Sequence, residues 1–77
     1  MKVDFKAGYL TMMLDSKEVK IIPGIDRPYT PVKIVFDGEK PMDCKVSLIE
    51  VVKTLRSIDD ENKAYDYIIS VIDFPQN

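Results

Sequence analysis

Seventy-seven residues, 45% of them hydrophobic and 31% charged, leave room for one domain that buries roughly 60 to 65% of the surface its unfolded chain exposes. Three glycines and no low-complexity tract place the chain in the globular class and exclude fibrous and disordered sequences. Eleven basic and thirteen acidic side chains, scattered to a net charge of -2, give no single-sign field and argue against both nucleic-acid binding and mimicry of a polyanion.

The chain begins with alternation. Val3, Phe5, Ala7 and Tyr9 fall on one side and Asp4, Lys6 and Gly8 on the other, the period-2 mark of a half-buried strand running through residues 2–14. From Leu10 to Leu14 the pattern blurs, apolar on both faces: Phe5, Tyr9, Met12 and Met13 would also share one side of a helix, while on a strand the adjacent Met12 and Met13 must point opposite ways. Asp15-Ser16-Lys17 reads as a turn, and Val19-Lys20-Ile21-Ile22 as a short strand that stops at Pro23.

Residues 23–31 hold three of the five prolines. Proline fixes φ and removes a donor, so this stretch is neither a central strand nor a helix interior, and its side chains are set without a ladder. Arg27 and Tyr29 are residue types that carry interface energy, and prolines reduce the entropy lost on docking. Pro28 and Pro31 beside Arg27 also make a minimal Pro-x-x-Pro of the kind SH3 domains take. Two readings stand together: a rigid connection whose Tyr29 packs back on the sheet, or a contact surface made of Ile25, Arg27, Tyr29 and Thr30.

Val32 to Phe36 is β-branched and aromatic, and Asp37-Gly38 supplies the positive φ of a hairpin turn into a return strand at Met42 to Val46. Ser47 with Glu50 three residues on forms a capping box, and Leu48, Val51, Val52, Leu55 and Ile58 recur at helical spacing, so a helix is expected over residues 47–58 with Ile49 off its apolar face. Residues 64–74 fit either periodicity. Tyr65, Ile68, Ile69 and Ile72 make a helical stripe, Tyr65, Tyr67, Ile69 and Val71 a strand face, and the wealth of β-branched and aromatic residues favours the strand. The expected fold is α+β: a small antiparallel sheet of four to five strands in ββ-loop-ββ-α-β order, packed against one helix.

Chemistry finds few footholds. Histidine is absent, which removes the usual general base and the commonest metal ligand. Cys44 has no base to activate it and reads as a small core hydrophobe, and a lone cysteine forms no internal disulfide, which suits a reducing, cytoplasmic setting. Asp59-Asp60-Glu61-Asn62 lacks the alternating ligands and the glycine of a calcium loop, and Gly8, Gly24 and Gly38 stand too far apart to cradle phosphate. No apolar run approaches the ~20 residues of a membrane span, and the charged N-terminus is unlike a signal peptide. No cofactor or metal and no enzymatic activity is expected.

What remains is a small chain with apolar residues on more faces than one helix covers, a reason to expect a protein partner or a homodimer. No motif ties the chain to a family. In general profile it is similar to the small accessory proteins with which phages and mobile elements block host machinery by steric binding, and that likeness of type implies a non-enzymatic inhibitor or adaptor. The alternative expectation is a homo-oligomer that sequesters a small anionic ligand such as a nucleotide.

Overall fold

In a computed structural model, which describes residues 3–26 and 29–74, five strands and two helices follow one another as β1 (Val3–Lys6), β2 (Tyr9–Leu14), β3 (Lys17–Ile22), β4 (Pro31–Phe36), β5 (Met42–Ser47), α1 (Leu48–Arg56) and α2 (Glu61–Val71). The strands form one antiparallel sheet in the order β1-β2-β3-β4-β5, an unbroken meander. The expected α+β class with an antiparallel sheet therefore holds, and two of its parts differ.

The first difference is that residues 2–14 are two strands and not one. Gly8 at φ 91 lets Lys6-Ala7-Gly8-Tyr9 turn back, pairing Lys6 with Tyr9 and Val3 with Met12. Alternation concealed the break because antiparallel partners share a face, so Val3 and Phe5 point to the same side as Met12 and Leu10 on either side of the turn. The β2–β3 and β4–β5 reversals use left-handed backbone as well: Asp15 and Ser16 at φ 52 and 63, then Asp37 and Gly38 at φ 47 and 79. Positive φ at both central residues matches the right-handed twist of the flanking strands.

The second difference is the C-terminal segment, a helix where a strand was expected. Asp60 caps it, its Oδ1 accepting from the Asn62 N–H at 2.8 Å. Glu61 in the first turn suits the positive helix end, and its Oε1 accepts from the Asp15 N–H at 2.6 Å, tying α2 to the β2–β3 turn. Ala64, Ile68 and Val71, spaced four and three apart, are the buried residues. Strand propensity at Tyr65, Tyr67 and Ile69 is a bias of tenths of a kcal/mol per residue, which the cap and the burial of one helical stripe outweigh. Extended structure returns only after the helix, where Ile72 bridges Cys44 and the Asp73 N–H donates to the Asp43 carbonyl at 2.8 Å.

Helix α1 follows its expectation closely, starting at Leu48 with Ser47 as N-cap and ending at Arg56 with Ser57 as C-cap. The Ser47 Oγ accepts from the Glu50 N–H at 3.5 Å, while Lys53 and Arg56 sit in the last turn, where a positive charge is favoured. Val51 and Leu55 are buried and Ile49 is exposed.

Both helices cover one face of the sheet. Leu10, Met12 and Leu14 of β2, Val19 and Ile21 of β3, and Val32, Ile34 and Phe36 of β4 meet Val51, Leu55, Ala64 and Ile68 in a single core cluster. Helix α2 touches both β2 and β5. The opposite face carries no helix: Lys20 lies with its Nζ 5.3 Å from the Tyr9 ring centroid, Lys33 bonds Asp43 at 2.7 Å, and Met13 is exposed. Met12 and Met13 thus face opposite ways as strand geometry requires. Among the described residues no helix is long and apolar enough to cross a membrane.

Candidate functional site

The loop between β3 and β4 leaves the sheet at the end that also holds the Ala7-Gly8 turn and the start of α1, since Ile21 pairs with Leu10 and Pro31 with Ser47. Its base is close-packed. Gly24 lies so near Thr30 that a Cβ there would collide with the Thr30 Oγ1 and would come within 2.7 Å of the Pro31 carbonyl oxygen. The N–H groups of Tyr29 and Thr30 both donate to the Asp26 carbonyl at 3.3 Å. The Thr30 Oγ1 is buried with no hydrogen-bond partner among the described residues, while Thr30 as a whole is half-buried.

Of the candidate contact residues, Ile25 is fully exposed and Tyr29 is 73% exposed. Tyr29 therefore does not pack back on the sheet, and the reading of the loop as a mere connection loses its main support. Arg27 and Pro28 lie outside the described residues, so the Pro-x-x-Pro and the proposed cationic contact have no structural description. What the loop presents is one aliphatic and one aromatic side chain a few residues apart on a base without slack. Arg, Tyr and large apolar groups of this kind contribute most of the binding free energy at protein interfaces.

A second surface has no counterpart in the sequence reading. On the helix-bearing side, Val3, Phe5 and Leu10 face Val52 and Leu55 of α1, and Ile58 just beyond it, across an open groove of about 350 Å³ that Arg56 and Asp59 also border. Phe5 is 68% exposed although it points to the core side, because β1 extends beyond the reach of α1. Only the division of residues 2–14 into two strands could have shown that Phe5 stands at an edge.

The remaining candidates resolve into structural roles. Cys44 is buried in the core cluster, and burial pushes its thiol up from 9.0 to about 11, with the carboxylates of Asp43 and Asp73 adding to the effect. The neutral thiol is therefore the form present near pH 7, a poor nucleophile. A thiol raised in the folded state also links stability to pH. Above 9 the unfolded chain releases this proton while the folded chain holds it, so stability falls as pH rises from about 9 towards 11. Denaturant melts of the wild type and of Cys44→Ser across that range are expected to show a steeper decline in the wild type. Equal slopes would remove the thiol as the cause.

Asp60 and Glu61 of the acidic cluster are the cap and first turn of α2, and no group of three metal-ligating side chains occurs among the described residues. A concavity of about 300 Å³ bordered by Lys6 also has Asp4, Glu18 and Glu61 in its wall, three carboxylates to one ammonium. No family model, no curated protein and no solved structure matches the chain.

Proposed function

We propose that the chain is a small non-enzymatic protein-binding module that docks through the β3–β4 loop and acts by steric occlusion, as an inhibitor or adaptor of the phage and mobile-element accessory type. The observation that carries this reading is the exposure of Ile25 and Tyr29 on a loop whose base Gly24 and Thr30 hold closely packed. Close packing at the base of the loop reduces the entropy that its flanking residues lose on docking. The sequestration of a small anion has weaker support, because the wall with Asp4, Glu18 and Glu61 repels the charge such a ligand carries.

Replacing Tyr29 with a photo-crosslinking phenylalanine analogue in the protein's native cell is expected to give one dominant adduct with another protein. The same replacement combined with Ile25→Asp is expected to abolish that adduct while circular dichroism and melting stay unchanged. An adduct indifferent to Ile25→Asp, or none at all, would place the contact elsewhere and overturn the reading.

A further inference from the structure

At the end of the sheet away from the β3–β4 loop, three aromatic side chains converge. Phe36 closes β4, Tyr65 stands in the first half of α2, and Phe74 follows the bridge by which Ile72 meets Cys44. All three border one open pocket of about 200 Å³. The chain has three Phe and four Tyr in all, so nearly half of its aromatic rings gather there. Phe36 is buried, while Tyr65 and Phe74 are exposed. The Phe36 and Tyr65 ring centroids lie 6.1 Å apart with their planes at 57°, so these two rings meet as the walls of a corner and are not stacked.

Two carboxylates stand on the rim. Asp37 and Glu39 lie in the β4–β5 turn, whose backbone is held by the Asp37 N–H donating to the Glu18 carbonyl at 2.6 Å and the Glu39 N–H donating to the Phe36 carbonyl at 2.8 Å. Lys17 borders the pocket as well, on a flexible and exposed stem, and among the described residues it forms no ion pair with either acid. The rim therefore carries two negative charges against one positive, beside rings whose faces are themselves negative. An anion is repelled there, and an uncharged guest gains nothing from the two carboxylates.

We propose that this pocket binds a methylated ammonium group. Ring faces attract a cation through their quadrupole, and the methyls suit apolar walls to which Met42 and Ile69 also contribute. A bare lysine ammonium is strongly hydrated and brings three N–H donors, for which the rim offers only two carboxylates. Full methylation removes those donors and keeps the charge. The volume falls below the about 300 to 1,000 Å³ of sites that enclose a drug-sized ligand, so the pocket takes a head group and leaves the rest of its bearer outside. Pocket and β3–β4 loop share no residue, and nothing in this binding depends on what the loop docks against.

Amide NMR of the protein titrated with choline chloride, with sodium chloride at equal ionic strength as the control, is expected to show saturable shifts at Asp37, Glu39, Tyr65 and Phe74 with a dissociation constant on the order of 1 mM. The uncharged tert-butyl analogue of choline keeps the shape without the charge and is expected to bind at least about 10-fold more weakly. A short peptide carrying trimethyllysine presents the same group from a protein, and whichever of the two probes binds more tightly identifies the source. Tyr65→Ala and Phe74→Ala, both outside the core cluster, are each expected to weaken choline binding by about 5-fold. Lys17→Gln removes the competing cation and is expected to tighten it by about 3-fold. The analogue and Lys17→Gln leave the aromatic packing intact, so the test survives if a ring variant unfolds. No saturable shift with either probe, equal binding of the tert-butyl analogue, unchanged affinity in both ring variants at unchanged melting, or weaker binding in Lys17→Gln would each overturn the proposal.

Discussion

Ile68→Ala is expected to destabilise the protein by about 3 kcal/mol, whereas Ile69→Ala is expected to cost about 1 kcal/mol. Ile68 is wholly buried in the core cluster, while its neighbour Ile69 is half-buried and packs only against the margin of that cluster. Truncating Ile68 removes three carbons from a close-packed interior and leaves a cavity whose walls are set by two helices and a sheet, so relaxation recovers little. For a chain of this length a loss of that size is a large share of the total, which by size alone is roughly 4 to 12 kcal/mol. Urea melts of the two variants measure the contrast directly. Alternation along a strand would bury Ile69 with Tyr67 and Val71 and reverse the order of the two effects, so the pair separates the helix from the strand it displaced.

That segment shows how far local signals reach. The Asp37-Gly38 hairpin and the Ser47-capped helix were legible because each is specified within a few residues: positive φ at a glycine, a hydroxyl facing an orphan N–H, an apolar stripe of one period. Residues 64–74 carry two periodicities, and what selects between them lies elsewhere. The Glu61 carboxylate holds the Asp15 N–H, 46 residues away in the chain, and Ala64 and Ile68 are buried in the core cluster with residues of β2, β3 and β4. Propensity counted over the segment itself contains none of this. The break at Ala7-Gly8 was hidden for a different reason: a tight turn that conserves the face on which side chains lie leaves alternation nearly undisturbed.

The candidate site divides along the same line. That the β3–β4 loop would stand off the sheet follows from its prolines, and the exposure of Ile25 and Tyr29 agrees with it. The Thr30 hydroxyl is buried beside Gly24, a close approach that nothing in the spacing of the prolines signals. Phe5 escaped notice as a surface residue because the period-2 pattern assigned it to the covered face. The pattern identified the face correctly, but whether a helix reaches that far along the sheet depends on where α1 packs, and no repeat within residues 3–6 encodes that.

Gly24 ties the loop's conformation to its proposed use, and Gly24→Ala is expected to cost about 2 kcal/mol. The cause is steric and not conformational, since a Cβ at this position meets the Thr30 side chain and the backbone carbonyl of Pro31, and a carbonyl anchored in β4 cannot swing aside as a flexible side chain can. The base of the loop must open for the methyl to fit. Opening it releases the Asp26 turn that receives the Tyr29 and Thr30 N–H groups, and with it the placement of Tyr29 relative to Ile25. Thr30→Gly in the same chain removes the side-chain part of the clash and is expected to recover part of the loss, the Pro31 contact at 2.7 Å accounting for the remainder. Thermal melts give the stability change, and hydrogen exchange at Tyr29 and Thr30 gives the loop's order. Gly24→Ala melting like the wild type, with both amides still protected, would mean that the base has slack. In the expected case, crosslinking through the analogue at position 29 falls in Gly24→Ala although Ile25 is retained and an aromatic ring still stands at position 29, because the two anchors no longer hold the spacing a docked partner requires.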